Sequence, residues 1–529
     1  MAAPASIPAL LAATVAAGGD RAAVVTDDGV VTWAELDARS REFAGALVAA
    51  GIGAGDRVAI WSPNGVEWIV AVLGLFRSGA VLVPINTRFK GTEAAVLLER
   101  SGAKALITAT DFLDTDYVAL LAAADAELPN LALTVIARGP TPDGTVGWDE
   151  FLAASTEAAQ AEADARSAGL TPEHPSDILF TSGTTGVPKG VVMTHGRTLG
   201  VATDWVAMTA LSADDRYLMV NPYFHMFGLK AGILASVAAG ATMYPESVFD
   251  PDRALARVAA EGITVLPGAP TIYQALLDHP DRSAHDLSTL RVAVTGAADI
   301  PVELIRRVFD ELPFSVVVTG YGLTEAGTAS ATVPGDDAET VATTVGRPRP
   351  GFEVRILGES DREMPAGEPG EIVLRGPTVM QGYLDDPAAT AAALSADGWL
   401  RTGDLGVVDE RGNLRIVGRS KDMFIVGGFN AYPAEIENLL RAHPGIGQAA
   451  VIGIPDARLG EVGMAFVVPA PGAALDPDEV VAWSREHMAN YKAPRVVEIV
   501  SELPINATGK VVKDDLRARA AAAGRAGPG

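Results

Sequence analysis

Apolar positions along residues 22–110 switch between two periods, and each switch falls at turn residues. "AAVVT" (22–26) is apolar and β-branched, so it reads as a strand, closed by a turn at Asp27–Gly29. Thr32 to Glu35 has the Thr-x-x-Glu spacing of a capping box and opens an amphipathic helix to about Ala50. "DRVAIWS" then predicts a strand, 66–77 a helix, "VLVPIN" a strand, 92–101 a helix and "AKALIT" a strand. Such alternation predicts α/β layers over a largely parallel sheet. The Ala- and Glu-rich stretch 152–170 predicts a surface helix.

The alternation returns from 214 to 325. "DRYLMVNP", "ATMYP", "ITVLPG", "LRVAVTG" and "SVVVTG" predict strands, with helices near 230–239, 251–261, 270–278 and 301–311 between them. From 346 to 418 the texture changes to short strands ("FEVRIL", "GEIVLRG", "LGVVDERGNLRIVG") set off by Gly, Pro and Asp turns. Beyond 420 an αβ pattern resumes in "YPAEIENLLRAH", "AAVIGIP", "AFVVPA", "PDEVVAWSREHM" and "VVEIV". The expected fold is α/β. A large domain, 1–419, holds layered α/β subdomains and a small β-rich, barrel-like unit at about 346–418. A small α+β domain, 420–529, follows a boundary near Arg419–Lys421.

Composition narrows the class. At 529 residues the chain exceeds one core, since domains run roughly 100–200 residues. The most apolar stretch, Val70–Phe76, is too short for a membrane span and sits between Glu67 and Arg77. The N-terminus has no basic region of the signal-peptide kind, and the ending "AAAGRAGPG" is neither a peroxisomal nor a retention signal. A net charge of −25 argues against nucleic-acid binding, so any positive charge for a phosphate ligand must be local. The absence of cysteine removes disulfides, thiolate metal sites and a cysteine nucleophile, and fits a cytoplasmic location. With 8 lysines against 33 arginines, Lys189 and Lys510, both inside Gly-rich segments, stand out.

Lys189 lies next to the end of the stretch "TSGTTGVPKG" (181–190), which raises the question of a phosphate loop. A P-loop needs G-x-x-x-x-G-K-[ST] between a strand and a helix. Here Gly183 and Gly186 are too close, no Ser or Thr follows the lysine, and "VVMTH" after it is strand-like. The context is strand–loop–strand. What remains is four hydroxyls (Thr181, Ser182, Thr184, Thr185), three glycines and a lysine, which can wrap an anion or simply make a tight turn.

Other segments decide. "TSGTTGVPKGV", "YGLTE" (321–325), "GWLRTGD" (398–404), "GRSKDMFIVGGFNAYPAEIE" (418–437) and "PINATGK" (504–510) occur in this order over nearly the whole chain. Together they resemble the motifs of the adenylate-forming superfamily: acyl-CoA synthetases, firefly-type luciferases and the adenylation domains of peptide synthetases. The resemblance implies that the small domain is mobile. It also implies two chemical steps. A carboxylate attacks the α-phosphorus of ATP and expels pyrophosphate; the thiol of coenzyme A then attacks the acyl carbon and releases AMP. The partners implied are a small-molecule carboxylic acid, ATP and coenzyme A, with Mg²⁺ and without nucleic acid. A homodimer is carried as the expectation.

By the same resemblance, Thr181, Ser182, Thr184 and Lys189 would hold the β- and γ-phosphates. Glu325 would bind Mg²⁺, and Thr324 would contact the α-phosphate. Tyr321 would stack on adenine beside Gly296, Ala297 and Ala298. Asp404, with Arg419, would take the ribose hydroxyls. Lys421 would be the hinge, Lys510 the adenylation lysine, and Gly427 and Gly428 the border of the thiol channel. Tyr223, Phe224, His225, Lys230, Thr295 and Gly320 would line the acyl pocket, His225 as its gate. Lys230 is costly to bury unless paired; it points to solvent or meets a polar group of the acid. "NPYFHMFGLKAGILA", "TVLPGAPTIYQALLDHP" and "AVTGAA" resemble an actinobacterial branch that activates the propanoate side chain of a bicyclic steroid-degradation remnant. The alternatives are a medium- or long-chain fatty-acid ligase, a peptide-synthetase-type adenylation enzyme, or a non-catalytic nucleotide-binding member. The peptide-synthetase type is disfavoured because His225 or Phe224 stands where an ammonium-binding Asp is needed.

Overall fold

The computed structural model describes residues 4–181, 188–296, 302–419, 424–431, 433–504 and 511–525. Its largest sheet runs in the order Gly382–Tyr383, Lys189–Thr194, Pro175–Thr181, Val81–Pro84, Arg57–Trp61, Ala105–Ala109, Leu133–Arg138, Val146–Gly147. The last six of these strands pair in parallel, and the first two add an antiparallel edge. The parallel strands are close to continuously buried, as expected where helices cover a sheet on both faces.

Helices Trp33–Ala49 and Val66–Ser78 pack on each other. The first begins with the expected capping box: Glu35 N donates to Thr32 Oγ1 at 3.2 Å, and Thr32 N donates to Glu35 Oε2 at 2.8 Å. Gly74 lets the pair approach closely, because a Cβ there would lie 2.6 Å from the Ser40 carbonyl oxygen. The helix Glu157–Ala168 is less of a surface element than its composition predicts. Ala159 and Ala163 are buried, and Asp164 pairs with Arg41 at 2.7 Å and Arg77 at 2.9 Å.

A second sheet has two four-stranded halves. One runs Arg216–Met219, Thr242–Pro245, Ala22–Thr26, Gly29–Thr32; the other runs Val292–Gly296, Val316–Leu323, Gly327–Ala331, Arg347–Pro348. The segment 264–268 joins them: Val265 bridges Tyr217 on one side and Val292 on the other, and Leu266 N and Gly268 N donate to the Val292 and Val294 carbonyls at 3.0 and 2.9 Å. "ITVLPG" thus spans the two halves as a short extended segment rather than a regular strand. Pro267 has no N–H to extend the ladder. The helix expected near 230–239 is a π-helix, Phe227–Leu234, followed by an α-helical turn, Ala235–Ala239.

The β-rich region forms an antiparallel sheet of Glu353–Leu357, Gly370–Arg375, Leu400–Val408 and Leu414–Arg419. Residues 424–525 form a smaller α+β domain with its own core, which includes Phe424, Ile436, Met464, Phe466 and Val480. The boundary residues 420–423 lie outside the described residues. No helix among the described residues is long and apolar enough to cross a membrane.

Gly74→Ala should destabilise the chain by about 1–3 kcal/mol, the usual cost of an overpacked contact. A lowered melting temperature checks this; an unchanged one would mean that the two helices are not in backbone contact.

Candidate active site

The strands Pro175–Thr181 and Lys189–Thr194 pair antiparallel, with Thr181 opposite Lys189. The hydroxyl-rich loop thus turns back on itself between two strands, as its sequence requires, and is not the strand-to-helix turn of a P-loop. Ser182 and Thr184 lie outside the described residues, as do Ala297, Ala298, Lys421 and Lys510.

Lys189 and Glu325 are brought together by a residue that motif reading passed over. The Lys189 ammonium stands over the Tyr383 ring, 5.0 Å from its centroid. The Tyr383 hydroxyl donates to Glu325 Oε1 at 3.0 Å. Tyr383 reaches this place because its two-residue strand pairs with Val191 and Val192, beside Lys189. Met380 N donates to the Glu325 carbonyl at 2.7 Å and fixes the turn that carries Thr324 and Glu325. An aromatic face under an ammonium holds it without neutralising it, so Lys189 keeps its charge for an anion.

A second group lies on the adjoining strands. Tyr321 is buried, and its hydroxyl donates to Asp404 Oδ2 at 2.6 Å. Asp404 is 5% exposed and lies opposite Arg419 across the β-ladder. Gly296 and Gly320 are neighbours in register, and a Cβ on Gly296 would come 3.1 Å from the Gly320 carbonyl oxygen. Two glycines side by side leave a flat strip of backbone next to Tyr321, the shape a planar ring needs.

The expected acyl pocket divides. His225 is exposed, and the protein gathered around it pushes its pKa down. Its Nδ1 accepts from Phe227 N at 3.2 Å. Phe224 is half-buried beside it. Thr295 is buried and its Oγ1 has no hydrogen-bond partner among the described residues. Tyr223, by contrast, is fully buried, with its ring 5.4 Å from that of Trp68 in the main core.

The expectation that Lys230 points to solvent fails. Its side chain is 1% exposed and its Nζ lies 2.8 Å from Asp177 Oδ1. Asp177 Oδ2 also accepts from Ser176 Oγ and Thr198 Oγ1, each at 2.6 Å. Burial of an ammonium demands a counter-ion, and Asp177 supplies one that no local sequence signal marks.

In the small domain, Gly427 and Gly428 have φ of 56° and 85° and join Phe424–Val426 to Phe429–Ala431, with Val426 opposite Phe429. A two-residue hairpin turn with both φ positive needs glycine. A Cβ on Gly428 would lie 3.5 Å from the Ala269 Cβ, so this turn rests on the large domain at the end of the "TVLPGA" segment.

Residues 11–384 match the AMP-binding enzyme family and residues 435–510 match the AMP-binding enzyme C-terminal domain. The chain belongs to this family, the adenylate-forming enzymes. It is 52% identical over 97% of its length to 3-[(3aS,4S,7aS)-7a-methyl-1,5-dioxo-octahydro-1H-inden-4-yl]propanoyl:CoA ligase of Mycobacterium tuberculosis, covering 98% of that protein. The Rhodococcus jostii protein of the same name is 48% identical, with 97% and 98% of the two chains covered. Among solved structures, o-succinylbenzoate CoA synthetase from Bacillus subtilis, bound with its product analogue, superposes with a TM-score of 0.82 at 28% identity, over 96% of this chain and 98% of that one. The chain is an ATP-dependent, AMP-forming acyl-CoA ligase whose substrates are a carboxylic acid, ATP and coenzyme A.

Lys230→Met should cost about 3–5 kcal/mol, because it strands the Asp177 charge in the interior. Adding Asp177→Leu should recover part of that loss. Urea midpoints of the two variants check the order; equal midpoints for wild type and Lys230→Met would show that the pair is not buried in solution.

Proposed function

We propose that this ligase activates the propanoate side chain of a bicyclic steroid-degradation acid, 3-[(3aS,4S,7aS)-7a-methyl-1,5-dioxo-octahydro-1H-inden-4-yl]propanoate. The observation that carries the reading is the 52% identity with the ligase so named, spread over 97% of the chain. The proposed location is the cytoplasm, where ATP and coenzyme A are both available.

In this reading Thr181, Ser182, Thr184 and Lys189 hold the β- and γ-phosphates, and Thr324 touches the α-phosphate. The donor set suits Mg²⁺. No three His, Asp or Glu among the described residues form a cage, and Mg²⁺ takes one or two carboxylates plus phosphate oxygens and water. Glu325 would supply that carboxylate, already aimed by Tyr383. When bound, the ion offsets the negative charge that repels the incoming carboxylate. Tyr321 stacks on adenine beside Gly296 and Gly320. Asp404, aligned by the Tyr321 hydroxyl, accepts from the ribose hydroxyls. Lys510 supplies positive charge at the α-phosphate while the acid oxygen bonds to phosphorus and pyrophosphate departs.

For the second step the small domain turns about Lys421 and brings Gly427–Gly428 to the site. The contact of Gly428 with Ala269 supports this as the thioester-forming arrangement. There the coenzyme A sulfur, giving up its proton to solvent, bonds to the acyl carbon, and AMP leaves with the electron pair of the acyl–oxygen bond.

Two measurements check these proposals. With ATP, Mg²⁺ and coenzyme A, kcat/KM for the bicyclic acid should exceed that for straight-chain acids by about tenfold or more, a margin that shape recognition can supply. A preference for straight chains would leave a fatty-acid ligase. Lys510→Ala should abolish adenylate formation yet still convert supplied acyl-adenylate to thioester. Equal loss of both half-reactions would sink the alternation of poses.

A further inference from the structure

A buried cluster of charges lies where the two domains meet. Glu93 belongs to the large domain, in the first turn of the helix Gly91–Ser101, and its side chain is 5% exposed. Lys492 and Glu435 belong to the small domain and are also buried. Lys492 Nζ lies 2.6 Å from Glu93 Oε1 and 2.7 Å from Glu435 Oε1. The ammonium also stands 4.1 Å from the centre of the Phe89 ring. Nearby, the Arg88 guanidinium covers the Phe429 ring at 4.2 Å, and Phe429 stacks on Tyr491.

Glu93 does more than pair with a lysine. Its Oε2 accepts from Lys90 N at 2.9 Å, closing the cap of its own helix, and from Ala489 N of the small domain at 3.0 Å. Three donors therefore converge on one carboxylate, two of them from across the domain interface. Lys492 keeps its ammonium when the domains part, because Glu435 stays with it. Burial alone would lower the Lys492 pKa, but Tyr491, Glu435 and Glu93 more than offset that and raise it.

We propose that Glu93 is a positioning residue for thioester formation, the acceptor on the large domain that receives the small domain through Lys492 and Ala489. The inference rests on the two-pose reading above. A carboxylate suits a contact that must form and break in every turnover. Water solvates both charges on separation, whereas a hydrophobic interface of equal strength would leave apolar surface bare. Both carboxylate oxygens accept; an amide has one acceptor and one donor. Glutamine at 93 must therefore aim its NH₂ either at an ammonium or at two backbone N–H groups.

The test uses full-length Glu93→Gln, with whichever acid the wild type converts. Adenylation, read as acid-dependent pyrophosphate exchange, should stay within about twofold, and the rate of thioester formation from supplied acyl-adenylate should fall about tenfold. Because the chain has no cysteine, a dye pair at Glu99→Cys and Arg485→Cys, both exposed, reads the domain pose directly. The short-distance population should shrink in Glu93→Gln. Should Glu93→Gln fail to fold, Lys492→Arg keeps the charge and replaces the compact ammonium, and the same split is expected. Equal slowing of both half-reactions, or no slowing, overturns the proposal. One dye distance in wild type under every ligand would overturn the two-pose reading itself. Two distances in wild type, equally populated in the variant, would overturn only the role of Glu93.

Discussion

Two charges that never meet water hold the active-site region in register. Asp177 lies four residues before Thr181 on its strand, and Lys230 lies five residues after His225 on the π-helix. Their contact ties the strand that leads into the hydroxyl-rich loop to the segment that carries His225. A hydrophobic pair could join the same elements, but it would tolerate a slip of one position. An ammonium flanked by one buried carboxylate has a single acceptable position, since any other leaves a charge unpaired in a low-dielectric interior. The hydroxyls of Ser176 and Thr198 fix the carboxylate in turn.

Around that anchor, the site is assembled from chain ends of sheets that have little to do with one another. Lys189 comes from the edge of the first sheet, Tyr321 and Glu325 from the second, and Asp404 from the antiparallel sheet beyond it. Two tyrosines join these sources. Tyr383 couples Lys189 to Glu325, and Tyr321 couples the second sheet to Asp404. Each tyrosine presents a flat apolar face and a polar tip, so one residue can both seat a cation or a ring and orient a carboxylate.

Much of this was legible beforehand, because the signals were local. The capping box at Thr32 and the strand–loop–strand context of Thr181 and Lys189 both follow from residues within a few positions of each other. The ordered motifs then gave the family, which no single loop could. What escaped was long-range or backbone-driven. The partner of Lys230 lies in another element, the acceptor for Lys492 is 399 residues earlier in the chain, and Tyr383 sits in a two-residue strand with no period to detect. The strand read at "ITVLPG" is an irregular extended segment for a local reason that the sequence did contain, a proline with no N–H to donate.

The π-helix at Phe227–Leu234 carries an evolutionary consequence. Its wider turn accommodates about one residue more than an α-helix of the same span. Deleting a single residue there would restore the tighter winding and leave the segments on either side close to their present register, because the wide turn is what takes up the extra residue. Only the side chains inside the wide turn would be redirected, Lys230 among them, and with it the pairing to Asp177. One codon gained or lost at this position would thus act on the buried pair while the rest of the fold stayed in register.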